Sequence, residues 1–344
     1  MSLGQIAFLG SGETSLAGGR IFESLARALP QPLRIAILET PAGFELNSFQ
    51  VAGRVADFLK TRLQNYSPTI DVIPARKRGT QFSPDDPEIV KPLLYANLIF
   101  MGPGSPTYAT RQLRGSLAWD ILRARHRLGA TLAFASAATI SVGAWALPVY
   151  EIYKVGLDVY TEKGLDLFSD FGMQLSLVPH WNNADGGLDL DTSRCFIGME
   201  RFDIWCKSLP PENTTLGLDE HTGIILDFTT GECEIAGVST VSIVRRCDPM
   251  IHPAGTKFPL NELGMPVIPD PMQGSIPPEV WDMAVNAPAT YNDQPPQRVV
   301  ELSEQRQQAR TSKNWAESDR LRDQIAAQGW TVQDSKDGYK LIKS

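Results

Sequence analysis

The chain has few histidines and cysteines, two residue types that metal and redox sites often use. Its 344 residues include only four histidines and four cysteines. Cys195, Cys206, Cys233 and Cys247 form no CxxC pair and no Cys/His cluster with the spacing of a metal site. We therefore expect reduced thiols with structural roles. Neither a metal nor an organic cofactor is implied.

Long apolar runs and a basic surplus are also lacking. No apolar stretch approaches the length that crosses a bilayer, and no charged-then-apolar leader precedes the first strand-like run at residues 5–9. The net charge of −7, from 39 acidic and 32 basic residues, argues against a protein-wide surface for polyanions. We expect a cytoplasmic protein with no membrane partner. A monomer and a homodimer both remain open.

Short apolar runs alternate with amphipathic stretches over the first 140 residues. This pattern predicts an α/β fold with a doubly wound, mostly parallel sheet, in which ligands bind beyond the carboxyl ends of the strands. Further strands are expected at residues 174–178 and 215–218, followed by a closing antiparallel meander over 224–244. The predicted strands of the first part are residues 5–9, 34–38, 70–74, 97–101 and 131–135.

Composition divides the chain into three parts. Residues 1–247 carry the α/β pattern. Residues 248–297 are rich in proline and lose periodicity, which indicates a linker or a wrapped extended segment. Residues 298–344 form a separate unit with two helices, over 298–312 and 316–328, and a small β-hairpin.

Ser136 stands where the apolar run at 131–135 stops and a small-residue, helix-like segment begins. A serine on a tight strand-to-helix turn is exposed at the carboxyl edge of the sheet. It also lies at a helix N-terminus, which favours developing negative charge. This is the position of a nucleophile. The same pattern also occurs in α/β proteins without such chemistry.

A glycine turn follows the first strand, but it does not complete a dinucleotide fingerprint. Gly10 and Gly12 have the required spacing, whereas Ser15 stands where the third glycine would be. Glu39, at the end of the second strand, is in place to mimic a ribose-binding acid. We interpret the motif as a tight turn in which glycine permits a positive φ.

Three chemically suitable residues follow predicted strands in the order Ser136, His180, Glu220. Acyl transfer needs a hydroxyl nucleophile, an imidazole that takes its proton, and an acid that orients the imidazole. Asp219 is an alternative acid if the strand register differs. The backbone N–H of Ala137 is one expected donor to the oxyanion. A second is expected at Gly102 or Gly104, since Pro103 between them has no N–H.

Four patches make the first ~245 residues resemble the cyanophycinase and dipeptidase E family of serine peptidases, which have a class I glutamine amidotransferase-like fold. The patches are residues 8–13 (FLGSGE), 102–109 (GPGSPTYA), 178–180 (VPH) and 217–220 (GLDE). The resemblance implies that Ser136 is the nucleophile, His180 the base and Glu220 the acid. The order differs from that of α/β-hydrolases, which would require His252 as the base.

The resemblance also implies a peptide or small amide substrate. Relatives cleave peptides that involve aspartate, so a cation near Ser136 is expected, with Arg111 and Lys154 as candidates. Tyr150, Trp181 and Asn182 are further candidates to line the pocket.

The turn around Ser136 departs from the family pattern, Gly-x-Ser-Ala-Gly-Ala. Phe134 and Ala138 replace two glycines, and each added Cβ can shift the turn. Two hypotheses follow: a serine hydrolase, or a catalytically inactive amidotransferase-like protein that keeps the pocket as a binding site. Ser136 also replaces the cysteine of the amidotransferases, so their glutaminase chemistry is not implied.

Residues 298–344 resemble the C-terminal element of cysteinyl-tRNA synthetases. The resemblance is carried by Glu304–Arg310 (EQRQQAR), Lys313–Trp315 (KNW), 318–325 (SDRLRDQI) and 329–334 (GWTVQD). It includes no aminoacylation site, but it implies an RNA contact, with tRNA as the candidate partner. Nine basic residues against seven acidic ones give only a small surplus, so a helical hairpin used for packing is the alternative.

Overall fold

The computed structural model describes residues 3–269, 275–287, 295–335 and 338–343. Its centre is an eight-stranded sheet with a parallel half in the order β1-β5-β4-β2-β3. These strands are β1 (Ile6–Leu9), β2 (Arg34–Leu38), β3 (Thr69–Ile73), β4 (Leu98–Met101) and β5 (Thr131–Ala135). β1, β4 and β5 are buried along their whole length, as parallel strands covered on both faces are.

Helices cover both faces of this sheet, because two separate apolar clusters form on its two sides. α1 and α2 pack on one face, and α3, α5 and α8 pack on the other. The predicted doubly wound α/β fold is therefore confirmed. The helices of the α/β part are α1 (Leu16–Ala28), α2 (Ser48–Arg62), α3 (Pro87–Val90), α4 (Pro106–Leu113), α5 (Leu117–Arg127), α6 (Ala137–Ser141), α7 (Gly198–Ser208) and α8 (Pro278–Val285).

The later strands do not form one continuous meander. After a two-stranded ribbon of β6 (Trp145–Ala146) and β7 (Glu162–Lys163), a second sheet has the order β13-β12-β9-β8, and the remaining strands extend the large sheet as β14-β11-β10-β1. These strands are β8 (Leu175–Val178), β9 (Thr214–Leu218), β10 (Thr222–Asp227), β11 (Glu232–Gly237), β12 (Thr240–Arg245), β13 (Asp248–Pro253) and β14 (Lys257–Pro259).

Gly237 marks the point at which the predicted meander is wrong. Its φ of 124° is open to glycine alone, and a Cβ there would lie 2.4 Å from the carbonyl oxygen of His221. The chain leaves β11 at this residue and changes sheets, so β11 and β12 do not pair with each other.

Much of residues 248–297 belongs to the fold rather than to a linker. β13 and β14 are edge strands of the two sheets, and Ile276, Val280 and Ala284 are buried in the main core. Proline is compatible with edge strands and with the first turn of a helix, so a proline-rich composition does not distinguish a linker from an extended segment that belongs to the fold. Residues 270–274 and 288–294 lie outside the described residues.

The last part is the predicted helix pair with a small hairpin. It consists of α9 (Gln297–Thr311), α10 (Trp315–Ala326), β15 (Trp330–Ser335) and β16 (Gly338–Lys343). Ser318, Leu321 and Ile325 form its buried helix face. We call residues 295–343 the tail. Residues 336 and 337 of the predicted turn lie outside the described residues.

The tail packs beside β3, the last strand of the large sheet. Arg76 donates a hydrogen bond to the carbonyl of Ala327 at 3.5 Å, and Arg298 donates to Gln81 at 2.6 Å. Gly329 passes next to the carbonyl of Val72. A cleft of about 330 Å3 lies between the tail and the β3–α2 side of the sheet.

The cysteines differ from the expectation of four reduced thiols. Cys206, in α7, forms a disulfide with Cys247, in the turn between β12 and β13. Their Cα atoms are 5.9 Å apart although 41 residues separate them in sequence, so only the tertiary fold brings them together. Cys195 and Cys233 are free and buried. No helix in the described part of the chain is long and apolar enough to cross a membrane.

Candidate active site

Ser136 occupies a strained turn between β5 and α6. Its backbone angles are φ 52° and ψ −121°, a region that residues with a Cβ rarely adopt. The turn exposes the side chain at the carboxyl end of β5, as the sequence predicts. Ala137 is the first residue of α6, so its N–H has no acceptor within that helix.

His180 and Glu220 follow two neighbouring strands. β8 and β9 are parallel partners, with Val178 opposite Gly217, so the residues after their carboxyl ends lie together. The backbone N–H of His180 donates to the carbonyl of Gly10 at 3.1 Å. This bond ties the end of β8 to the end of β1, which is the direct neighbour of the Ser136 strand.

The three side chains form a continuous hydrogen-bonded set. Ser136 Oγ lies 3.1 Å from His180 Nε2, and His180 Nδ1 lies 2.9 Å from Glu220 Oε1. Because an ionised carboxylate only accepts, the Nδ1–H donates to Glu220, and Nε2 is left to accept the serine proton. The predicted site residues are thus brought together, and their catalytic role stays a prediction.

The carboxyl of Glu220 is held in its ionised form. Burial raises its pKa, but hydrogen bonds from His180 and Asn183 outweigh burial, so the pKa lies below the usual value for glutamate. An ionised carboxylate behind the imidazole stabilises the imidazolium that forms when serine gives up its proton.

Asp219 has a different position from its neighbour. Its Oδ2 atom accepts hydrogen bonds from Ser239 Oγ at 2.6 Å, Thr240 N at 3.0 Å and Thr240 Oγ1 at 2.7 Å. Asp219 therefore joins the start of β12 to the end of β9. In this register Glu220, and not the alternative acid Asp219, contacts the imidazole.

Two asparagines hold the loop that carries Glu220. Asn182 Oδ1 accepts from the backbone N–H of Glu220 at 2.8 Å, and Asn183 Nδ2 donates to Glu220 Oε1 at 3.1 Å. Asn182 was predicted to line the pocket, whereas Asn183 was missed. The only sequence signal for Asn183 is its position three residues after His180.

Of the two predicted oxyanion glycines, only Gly102 is tied to the Ser136 turn. Its carbonyl accepts from the backbone N–H of Ala138 at 3.2 Å. Gly104 packs elsewhere, since a Cβ on it would lie 2.0 Å from the carbonyl oxygen of Pro41.

The two residues that stand in place of glycines, Phe134 and Ala138, are accommodated in the core. Phe134 is fully buried and stacks on Phe8 with ring centroids 5.6 Å apart. Ala138 is also fully buried. The side chain of Phe134 therefore fills the space beneath the turn and leaves Ser136 Oγ in contact with His180.

The other predicted pocket residues lie around the site in different ways. Trp181 is in the core, 6% exposed, with its ring 4.9 Å from that of Phe202, so it does not line the pocket. Tyr150 is half-buried, and the Lys154 ammonium lies 4.4 Å above its ring. Arg111 is exposed on α4.

Two further sequence interpretations are resolved by contacts. Glu39, which resembled a ribose-binding acid, forms an ion pair with Arg76 at 2.6 Å and accepts a hydrogen bond from Ser48 at 3.0 Å. Its carboxylate therefore has structural partners. His252 lies in the edge strand β13 against Phe258, away from Ser136. No group of three or more metal-ligand side chains is found within the described ranges.

The fold is similar to that of a solved peptidase structure. A peptidase from an acI-B1 actinobacterium superimposes with a TM-score of 0.60 over 75% of this chain and 97% of that chain, at 19% sequence identity. The two chains share a fold. A putative peptidase E protein from Listeria monocytogenes EGD-e matches at a TM-score of 0.43 and 13% identity, over 74% of this chain and 100% of that chain.

The tail matches a different family. Residues 295–339 match the family described as the cysteinyl-tRNA ligase anticodon binding domain. Cysteine–tRNA ligases are 50% identical over 48 residues in Chlamydia trachomatis serovar A and 47% identical over 49 residues in Methanosarcina mazei. Each match covers 14% of this chain and 10% of the ligase. The chain thus spans about a tenth of the length of these relatives.

Proposed function

We propose that the protein is a serine hydrolase that cleaves a peptide or related amide, with Ser136 as nucleophile, His180 as base and Glu220 as the orienting acid. The observation that carries this proposal is the pair of contacts at 3.1 Å and 2.9 Å that join the three side chains at the strained turn. The fold shared with a peptidase supports it.

The reaction follows from these contacts. Ser136 Oγ attacks the carbonyl carbon of the substrate while its proton passes to His180 Nε2. Glu220 stabilises the resulting imidazolium. The N–H groups of Ala137 and of Gly102 are the candidate donors to the oxyanion. His180 then gives the proton to the leaving amine, the C–N bond breaks, and an acyl-enzyme remains on Ser136. A water molecule then attacks the acyl-enzyme with the same help from His180, and the carboxylic acid is released from Ser136.

A fluorophosphonate probe tests this proposal. The native protein should form one covalent adduct at Ser136, and Ser136→Ala and His180→Asn should lose it. Ser67→Ala is a matched control, because Ser67 also has a left-handed backbone, with φ 45°, but lies at the end of a 3-10 turn far along the chain. Folded native protein that forms no adduct at Ser136 would favour the inactive binding protein instead.

We also propose that the tail contacts RNA. Trp315, at the start of α10, is 56% exposed. Lys313 lies two residues before it, and the Arg310 guanidinium lies 5.9 Å from its ring centroid. An exposed aromatic side chain among cations is typical of surfaces on which a base stacks. The match to an anticodon binding domain supports the proposal. By contrast, Arg306 and Arg320 are occupied in ion pairs with Asp334 and Glu317.

Filter binding of bulk tRNA to the full chain tests the tail proposal. Trp315→Ala and Lys313→Ala should weaken binding, the former by roughly 1–3 kcal/mol if a base stacks on the ring. Arg20→Ala, an exposed cation on α1, is the charge control. Affinity that is independent of salt and equal in all variants would exclude the RNA contact.

A further inference from the structure

Three consecutive residues close to His180 adopt a left-handed backbone. Arg194, Cys195 and Phe196 have φ values of 57°, 61° and 72°. Each left-handed residue other than glycine costs of order 1–3 kcal/mol, so three in succession persist only where the surrounding contacts enforce them. We call residues 194–196 the left-handed turn.

Local hydrogen bonds and contacts with the active-site loop hold this turn. The N–H of Cys195 donates to the carbonyl of His180 at 3.1 Å, and the N–H of Arg194 donates to the carbonyl of Trp181 at 2.9 Å. The guanidinium of Arg194 also lies 3.8 Å over the ring of Trp181. The turn is therefore fixed directly to the residue that carries the imidazole.

The turn places Phe196 beside the imidazole. The ring centroids of Phe196 and His180 are 5.4 Å apart, and Tyr153 lies 5.8 Å from Phe196. These distances are within the range of aromatic contacts. Phe196 is half-buried and Tyr153 is 41% exposed. Together they form an aromatic wall that a ligand can reach.

The wall is uncharged. Burial and the nearby Glu220 raise the pKa of the Cys195 thiol, so the thiol next to Phe196 is neutral. The cations nearest in sequence to Tyr153 and Phe196 are Lys154 and Arg194. They lie over the rings of Tyr150 and Trp181 instead. An apolar side chain would lose its hydration against these rings without leaving a charge buried.

The chemistry decides which part of the substrate meets the wall. His180 must hand its proton to the leaving nitrogen, so the residue that departs as the amine lies on the imidazole side of the scissile bond. We propose that Phe196 and Tyr153 form the leaving-group subsite and select an amine-side residue with an aromatic or large aliphatic side chain. This inference rests on the proposed hydrolase function.

Acyl-transfer partitioning tests the subsite without knowledge of the natural acyl group. p-Nitrophenyl acetate should acetylate Ser136 Oγ with release of p-nitrophenolate. An added amino-acid amide then competes with water: its nitrogen attacks the acetyl carbon, the bond to Oγ breaks, and the amine proton returns through His180 to Ser136. We expect phenylalanine amide and leucine amide to capture the acetyl group at least about tenfold better than glycine amide or aspartate amide.

The variants are read as ratios between acceptors, which do not depend on the absolute rate. Phe196→Ala and Tyr153→Ala should each reduce the preference to within about threefold. Tyr153→Ala leaves the left-handed turn untouched and so reports even if Phe196→Ala misfolds. Phe49→Ala, a half-exposed phenylalanine on α2, should keep the native ratio.

Two results would overturn the inference, and they are distinguishable. A Ser136-dependent burst without an acceptor preference, or with a preference that survives both wall variants, removes the subsite and leaves the hydrolase. The absence of any Ser136-dependent burst removes the hydrolase and the subsite together.

Discussion

Asn183 and His180 donate hydrogen bonds to the same oxygen of Glu220, Oε1, at 3.1 Å and 2.9 Å. Asn183 is 4% exposed, so water does not readily replace its amide. The shared acceptor keeps the carboxylate ionised and directed at the imidazole, which makes Asn183 a positioning residue in the proposed reaction.

Replacing Asn183 by alanine should therefore raise the pKa of Glu220 and reduce kcat by about tenfold. A hydrogen bond to a charged group is worth about 1.5–3 kcal/mol, and about 1.4 kcal/mol in the barrier corresponds to a factor of ten in rate. A selectively 13C-labelled glutamate titration reports the pKa, and turnover of p-nitrophenyl acetate reports the rate. Asn182→Ala is the matched control: Asn182 accepts from the backbone N–H of Glu220 rather than binding its carboxylate, so the titration midpoint of Glu220 should not change. Equal titrations in native protein and Asn183→Ala would contradict this role.

Replacing Glu220 and Asp219 by the corresponding amides should affect different properties, kcat in the first case and stability in the second. Glu220→Gln leaves the imidazole without its anionic partner, and kcat should fall by about 10³–10⁴ with little change in stability. Asp219→Asn should instead lower the free energy of unfolding by about 1–3 kcal/mol, because three partly buried hydrogen bonds converge on its Oδ2 atom. Urea denaturation and kcat, measured on both variants, separate the two. A large loss of kcat in folded Asp219→Asn would reverse the assignment.

His126 should make the fold sensitive to acid. It is 1% exposed, and its Nε2 binds the carbonyl of Gly4 at 2.8 Å. Burial lowers its pKa to about 4. Between pH 6.5 and 4 this histidine is protonated in the unfolded chain but not in the folded chain. The free energy of unfolding therefore decreases by about 3 kcal/mol in total as the pH is lowered through this range.

Urea denaturation at several pH values between 7 and 4 measures this loss. His126→Gln should flatten the dependence, and His221→Gln, which removes an exposed histidine, is the control. An identical slope in native protein and His126→Gln would show that other groups control acid unfolding.

The disulfide should contribute measurably to stability. Cys206 and Cys247 close a loop of 41 residues, for which chain entropy predicts about 4 kcal/mol. Reductant should lower the urea midpoint of the native protein. The double variant Cys206→Ser, Cys247→Ser should have the lower urea midpoint from the start, and reductant should not change it. Native protein that is insensitive to reductant under conditions that free its thiols would contradict this expectation.

The sequence predicted those parts of the fold that local patterns determine. The strand at 131–135 and its Ser136 turn have the predicted bounds, because five apolar residues followed by small ones carry both the strand and its end. The proximity of His180 and Glu220 was predictable in outline, since both follow strands.

Tertiary partners determine what was not predicted. The change of sheets at Gly237 depends on a close approach to His221, and the Cys206–Cys247 bond depends on where α7 ends relative to β12. The left-handed turn that carries Phe196 contains no glycine, so its backbone conformation could not be predicted from residue types. In each case the decisive contact lies far away in the sequence or in a backbone conformation that the residue types do not favour.

The position of the tail has a consequence for how this chain tolerates shortening. β3 ends the large sheet, and within the described ranges its only strand partner is β2. An uncovered outer strand offers free N–H and C=O groups to other chains. Gly329 lies beside the carbonyl of Val72 in β3, so we expect the tail to limit the access of other chains to this edge. A chain cut before residue 297 is therefore expected to aggregate, whatever the tail binds, and point variants are the sounder way to study it.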